Sequence, residues 1–166
     1  MEVAIIAHAL AVIGNAYFGK ELDAEHIAML GIMHDTTEII TGDLPTPIKY
    51  YAPEIRDAYK KVENVAACQL ISELPEEMQN AYEDILIEND DINWKYVKAA
   101  DKMSAYIKCI EERNTGNTDF AKAEETIKKA LDEMHMEEIE KFIEMFLQPT
   151  LNIRRNQQIK LIEKAK

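Results

Sequence analysis

Apolar residues recur at helical spacing along nearly the whole chain, and no segment alternates apolar and polar positions with the period of a strand. Residues 3–13, VAIIAHALAVI, have few polar positions and predict a buried helix that begins without a cap. A second helix is expected over AEHIAMLGIMH (24–34), with Asp23 as its N-cap and Gly19 as punctuation before it. Gly42, Pro45 and Pro47 interrupt any helix in TGDLPTP, so residues 41–47 form a turn or loop. Beyond Pro53 a helix runs to about Leu74, and Pro75 opens a shorter one in EEMQNAYEDIL. A long helix is expected from Asn93 to Arg113, closed by the TGN turn at 115–117. Two acidic, lysine-bearing helices fill much of 118–147, and Pro149 separates them from a polar C-terminal helix. The fold class is all-α, with no internal repeat or low-complexity segment.

Length and composition narrow this further. The 166 residues suit one domain with a core large enough to fold without staples. Hydrophobic residues at 47% and charged residues at 30% argue against disorder. Cys68 and Cys109 lack a paired spacing, so neither a disulfide framework nor a thiolate zinc site is expected, and a reducing cytoplasm fits. No apolar run has the length of a membrane span. The N-terminus carries Glu2 and no basic leader, which argues against a signal peptide. A net charge of −12 argues against a nucleic-acid polymer as partner. A small phosphorylated ligand is compatible if a cation offsets the local field, as a divalent metal would.

The segment HDTTEIITGDLPTP (34–47) concentrates the candidate chemistry. Counting back from His34 by helical steps gives Gly31, Leu30 and Ile27, which puts the histidine on an apolar stripe. A lone histidine there reads as a satisfied core residue. Asp35 beside it changes that, because a carboxylate at a core edge needs a cation or donors, and imidazole plus carboxylate suits Zn, Mn, Co or Fe. Asp101 is the distant candidate for a further ligand; with Val97, Ser104 and Ala105 around it, it is expected to point toward the interior. Its alternative is an ion pair with Lys98, while Lys102, the next residue, is expected to point elsewhere. Glu38, four residues beyond His34, either overlooks the same site as a general base or is a solvated acid. Asp43 is either an Asx-turn residue or a substrate-binding acid on a proline-pinned loop.

With these residues in place, the chain resembles the HD-domain metal-dependent phosphohydrolases, and within them the YfbR-type 5′-deoxynucleotidases. The specific match is HD-x-x-E-x-x-x-GD-L-P-T-P, supported by VAIIAHALA and AADKMSAYIKCIEE in order and approximate spacing, over roughly residues 1–148. The resemblance implies an HD-domain helical bundle that hydrolyses 2′-deoxynucleoside 5′-monophosphates to deoxynucleoside and phosphate. It implies one divalent metal ion (Co, Mn, Zn or similar) held by His34, Asp35 and Asp101, with Asp35 and Asp101 also against the substrate. Glu38 would help activate the attacking water, and Asp43 would stand near the leaving 5′-oxygen. Asp43, Leu44, Pro45 and Thr46 would line the sugar pocket, and a homodimer in the cytoplasm is expected.

The family's first metal-ligand histidine would fall two residues before Met1, with a phosphate-orienting arginine further upstream. His8 lies nine residues after that position, about half a turn round the helix, and is expected to be a core residue or to back the ligands. His26 and His135 read as surface residues. Residues 1–166 are thus expected to form a single HD domain lacking the family's N-terminal segment, with Met1 internal to a longer protein or a misplaced start. Two alternatives share the fold: a phosphohydrolase for another nucleotide or phosphate ester, and a catalytically weak nucleotide-binding protein. A purely structural helical bundle is the third.

Overall fold

A computed structural model describes residues 1–44, 52–89 and 91–148, and every regular element among them is helical. Helix α1 (Glu2–Phe18) stops where Gly19 takes φ 64°, a left-handed conformation that a side chain disfavours. The chain then turns back, and the Lys20 amide donates to the Gly14 carbonyl at 3.1 Å. Helix α2 (Ala24–Met33) starts at the expected cap, with the Asp23 carboxylate accepting from the His26 amide at 2.9 Å. A tight turn leads to the short α3 (Glu38–Thr41).

Pro53 opens α4 (Pro53–Ser72), where its missing N–H costs nothing at a helix start. Pro75 precedes α5 (Glu76–Leu86), and α6 (Ile92–Asn114) is the long helix expected near the middle of the chain. After the glycine turn come α7 (Ala121–Asp132) and α8 (Glu137–Phe142), the latter running into a π-helical turn at Ile143–Leu147. The polar helix expected after Pro149 lies outside the described residues.

Helix α1 packs against α2, α6 and α8, and α6 also carries α7. The main core gathers Ile6 and Leu10 of α1, Ile27 of α2, Tyr96 and Met103 of α6, and Ile139 of α8. A Cβ on Gly31 would stand 2.9 Å from the Ala4 Cα, so α1 and α2 meet backbone against backbone. That close approach fixes the end of α2, from which His34 projects.

Two features depart from the sequence-based expectation. Helix α1 is buried on one side only, since Ile5 is 64% exposed and Val12 43%. Glu138, in the acidic run of α8, is fully buried. Its carboxylate accepts from the Tyr96 hydroxyl at 2.7 Å and pairs with Lys20, tying α8 to α6 and to the α1–α2 turn.

Candidate active site

A cleft of about 490 Å³ opens between the α2–α3 corner, α4 and α6. His34, Asp35, Thr37 and Glu38 form the corner; Arg56, Asp57, Lys60 and Glu63 come from α4. Helix α6 contributes Trp94, Val97, Lys98, Asp101 and Lys102, whose spacing of three and four residues puts them on one helical face. Glu88, between α5 and α6, completes the wall.

The corner is built by local hydrogen bonding. The Thr36 amide donates to the Met33 carbonyl at 2.9 Å, and the Glu38 amide to the Asp35 carbonyl at 3.0 Å. These three-residue closures carry the chain from α2 into α3. The helix does not continue unbroken from α2 through Glu38, yet His34, Asp35 and Glu38 reach the same cleft. Thr37, between them, lines the cleft and is buried.

His34 caps the C-terminus of α2 and is half-buried. Its Nδ1 donates to the Gly31 carbonyl at 2.9 Å, which orients the ring and turns Nε2 toward Asp35, whose Oδ1 is 3.0 Å away. Burial disfavours the charged ring, but the Asp35 hydrogen bond and the charges of Asp35 and Asp101 outweigh it, so the His34 pKa lies above its ordinary value. An environment that holds a proton on Nε2 also suits a metal cation there, with the Gly31 bond fixing the tautomer that leaves Nε2 free to ligate. The donor set therefore fits a divalent ion in its chemistry. Among the described residues, no three His, Cys, Asp or Glu side chains are gathered tightly enough to enclose one.

Asp101 lines the cleft as a candidate ligand must, but it is exposed and does not point into the interior. The buried stripe of α6 runs through Tyr96, Ala99, Ala100 and Met103, and Asp101 lies round the helix from it. Nor does Lys98 pair with Asp101: its Nζ is 2.7 Å from Glu88 Oε1. Lys102, expected to point elsewhere, lines the cleft as well.

Asp43 is exposed, and neither it nor Leu44 is among the described residues that line the cleft; Pro45 and Thr46 lie outside the described residues. Gly42 has φ 69° and ψ 164°, a region open to little but glycine. Its carbonyl accepts from the Tyr59 hydroxyl at 2.8 Å and from Thr41 Oγ1 at 3.0 Å, which fastens the start of the loop to α4. His135 is exposed, as expected; His8 is half-buried and not part of the buried core, and His26 is half-buried in the first turn of α2.

The sequence reading missed the cations of the cleft: Arg56, Lys60, Lys98 and Lys102. Their signal was the spacing 56/60 on α4 and 98/102 on α6, one helical turn in each case. They supply the positive charge that an anionic ligand needs within a chain of net charge −12.

Residues 1–150 match the profile of the 5′-deoxynucleotidase YfbR-like family. The chain is 46% identical over 152 residues to a 5′-deoxynucleotidase of Photobacterium profundum, covering 89% of this chain and 77% of that protein. It is 47% identical over 148 residues to a 5′-deoxynucleotidase of Vibrio cholerae, covering 88% and 76%. The fold is similar to that of an HD-domain phosphohydrolase from Listeria innocua, with a TM-score of 0.76 at 24% identity, covering 91% of this chain and 74% of that one.

Proposed function

The chain belongs to the YfbR-like 5′-deoxynucleotidase family, and from that premise we propose that it hydrolyses 2′-deoxynucleoside 5′-monophosphates to deoxynucleoside and inorganic phosphate. The observation that carries the reading to particular residues is the convergence of His34, Asp35, Glu38 and Asp101 on one cleft walled by lysines and an arginine.

His34, Asp35 and Asp101 are the residues that would hold a divalent cation of the Mn, Co or Zn kind. Such an ion, when bound, polarises a phosphoryl oxygen and makes bound water more acidic. Glu38 would take the proton of the attacking water as its oxygen forms the new bond to phosphorus and the bond to the 5′-oxygen breaks. Asp35 and Asp101 face the phosphoryl end of the substrate, while the cations of α4 and α6 offset its charge. Asp43 is assigned to the leaving 5′-oxygen, and Asp43, Leu44, Pro45 and Thr46 to the deoxyribose, whose missing 2′-hydroxyl a close-fitting loop would select. A cytoplasmic homodimer belongs to the same reading, and the exposed Ile5 and Val12 of α1 and Met29 and Ile32 of α2 are apolar side chains that a second copy could cover.

The test is phosphate release from dAMP and AMP in matched assays with and without added Mn or Co. Metal-dependent release from dAMP well above that from AMP is expected. Equal turnover of the two would remove the deoxynucleotide assignment, and nucleotide binding without turnover would favour a silent binding protein.

A further inference from the structure

We propose that Lys102 binds the phosphoryl group of the substrate. This rests on the nucleotidase reading and adds to it a residue that the HD and GDLPTP motifs do not contain. Lys102 lines the cleft from α6, one residue after Asp101, and is half-buried.

Its partners, or their lack, set it apart from the other cations of the cleft. Arg56 lies on Asp57, with Nε and Nη2 3.0 and 2.9 Å from Oδ1. Lys98 is paired with Glu88 at 2.7 Å, and Lys60 lies 3.7 Å from the same carboxylate. Lys102 makes no ion pair or hydrogen bond with any described residue. In a chain with 31 acidic and 19 basic residues, an ammonium with no partner among the described residues, on the wall of a concave site, is the less expected arrangement. A partly desolvated ammonium gains most from a compact anion that can accept its N–H donors, and a phosphoryl dianion is such a group. Neighbouring positions in a helix differ by about 100° and about 1.5 Å of rise. An anion held by Lys102 would therefore stand beside Asp101 and within the same cleft as His34. Because the contact exists before and during the reaction, losing it raises KM more than it lowers kcat.

The test is calorimetric titration of the full chain, its K102M and K102Q variants and its K102R variant, with inorganic phosphate, dAMP and deoxyadenosine, with and without Mn. Phosphate and dAMP affinity is expected to fall about ten- to a hundredfold in K102M and K102Q, the range for losing one charged hydrogen bond. K102R should retain most of that affinity, and deoxyadenosine, which has no phosphoryl group, should bind all four proteins alike. Thermal melting of each variant separates loss of fold from loss of contact, and the two neutral variants back each other up. Equal phosphate affinity in wild type and both neutral variants overturns the assignment, as does a wild type that binds no phosphate. Lysine-dependent phosphate binding in a protein that turns over no dAMP upholds Lys102 and rejects the nucleotidase reading instead.

Discussion

His34 shows how much one side chain depends on the backbone beneath it. Its Nδ1 is held by the Gly31 carbonyl and its Nε2 faces Asp35, so the ring is aimed before any ligand arrives. The spacing of Glu38 from His34 left open whether it shares the site or is solvated, and the structure brings it to the wall of the same cleft. Asp101 lines the cleft with them, but its exposure was not legible. Whether a residue at the border of an apolar stripe turns in or out depends on what packs beside it, and here Tyr96, Ala99 and Met103 take the inner sector. If Glu38 takes the proton of the attacking water, Glu38→Gln should lower kcat about 10²- to 10⁴-fold, the usual contribution of a positioned base. Metal affinity, measured by titrating the variant with Mn, should be little changed, because Glu38 is not one of the assigned ligands. A comparable loss of metal affinity would instead make Glu38 a ligand.

The helices themselves were the most readable part of the chain. Asp23, Pro53 and Pro75 mark their starts by local chemistry that no tertiary contact needs to supply. What pattern could not show is how closely two helices approach, and Gly31 sets that distance for α1 and α2. A methyl group there meets the Ala4 backbone at 2.9 Å, with no flexible side chain to move aside. Gly31→Ala should therefore cost about 1–3 kcal/mol, the usual penalty of overpacking, as read by denaturant unfolding. It should also lower activity by more than the lost stability explains, because α2 carries His34 at its end. Unchanged activity in a destabilised variant would show that the end of α2 adapts independently of its contact with α1.

Across the whole molecule, the least legible feature is the buried anchor in α8. Glu138 lies between Glu137 and Glu140 in a segment that reads as a solvated acidic face, and only the assembled fold places it under Tyr96 and Lys20. Gly14 leaves the room: a Cβ there would stand 3.0 Å from Glu138 Oε1 and 3.3 Å from the Tyr96 hydroxyl. Burial works against the charge on Glu138, yet hydrogen bonds from Lys20 and Tyr96 overcome it and hold the carboxyl below its ordinary value of 4.5. On unfolding that pKa returns to the ordinary value, so the unfolded chain takes up a proton first as pH falls. The contribution to stability is thus fully present above about pH 4.5 and is lost as pH drops through the lower folded value. Glu138→Gln should reduce stability at pH 7 by about 1–3 kcal/mol, less than a fully buried pair would lose because Lys20 is 40% exposed. Unfolding curves of wild type and variant, measured from pH 7 down to pH 3, should converge as the acid limit is approached. A gap that stayed constant with pH would mean that Glu138 stabilises through packing and neutral hydrogen bonds, with its charge contributing nothing.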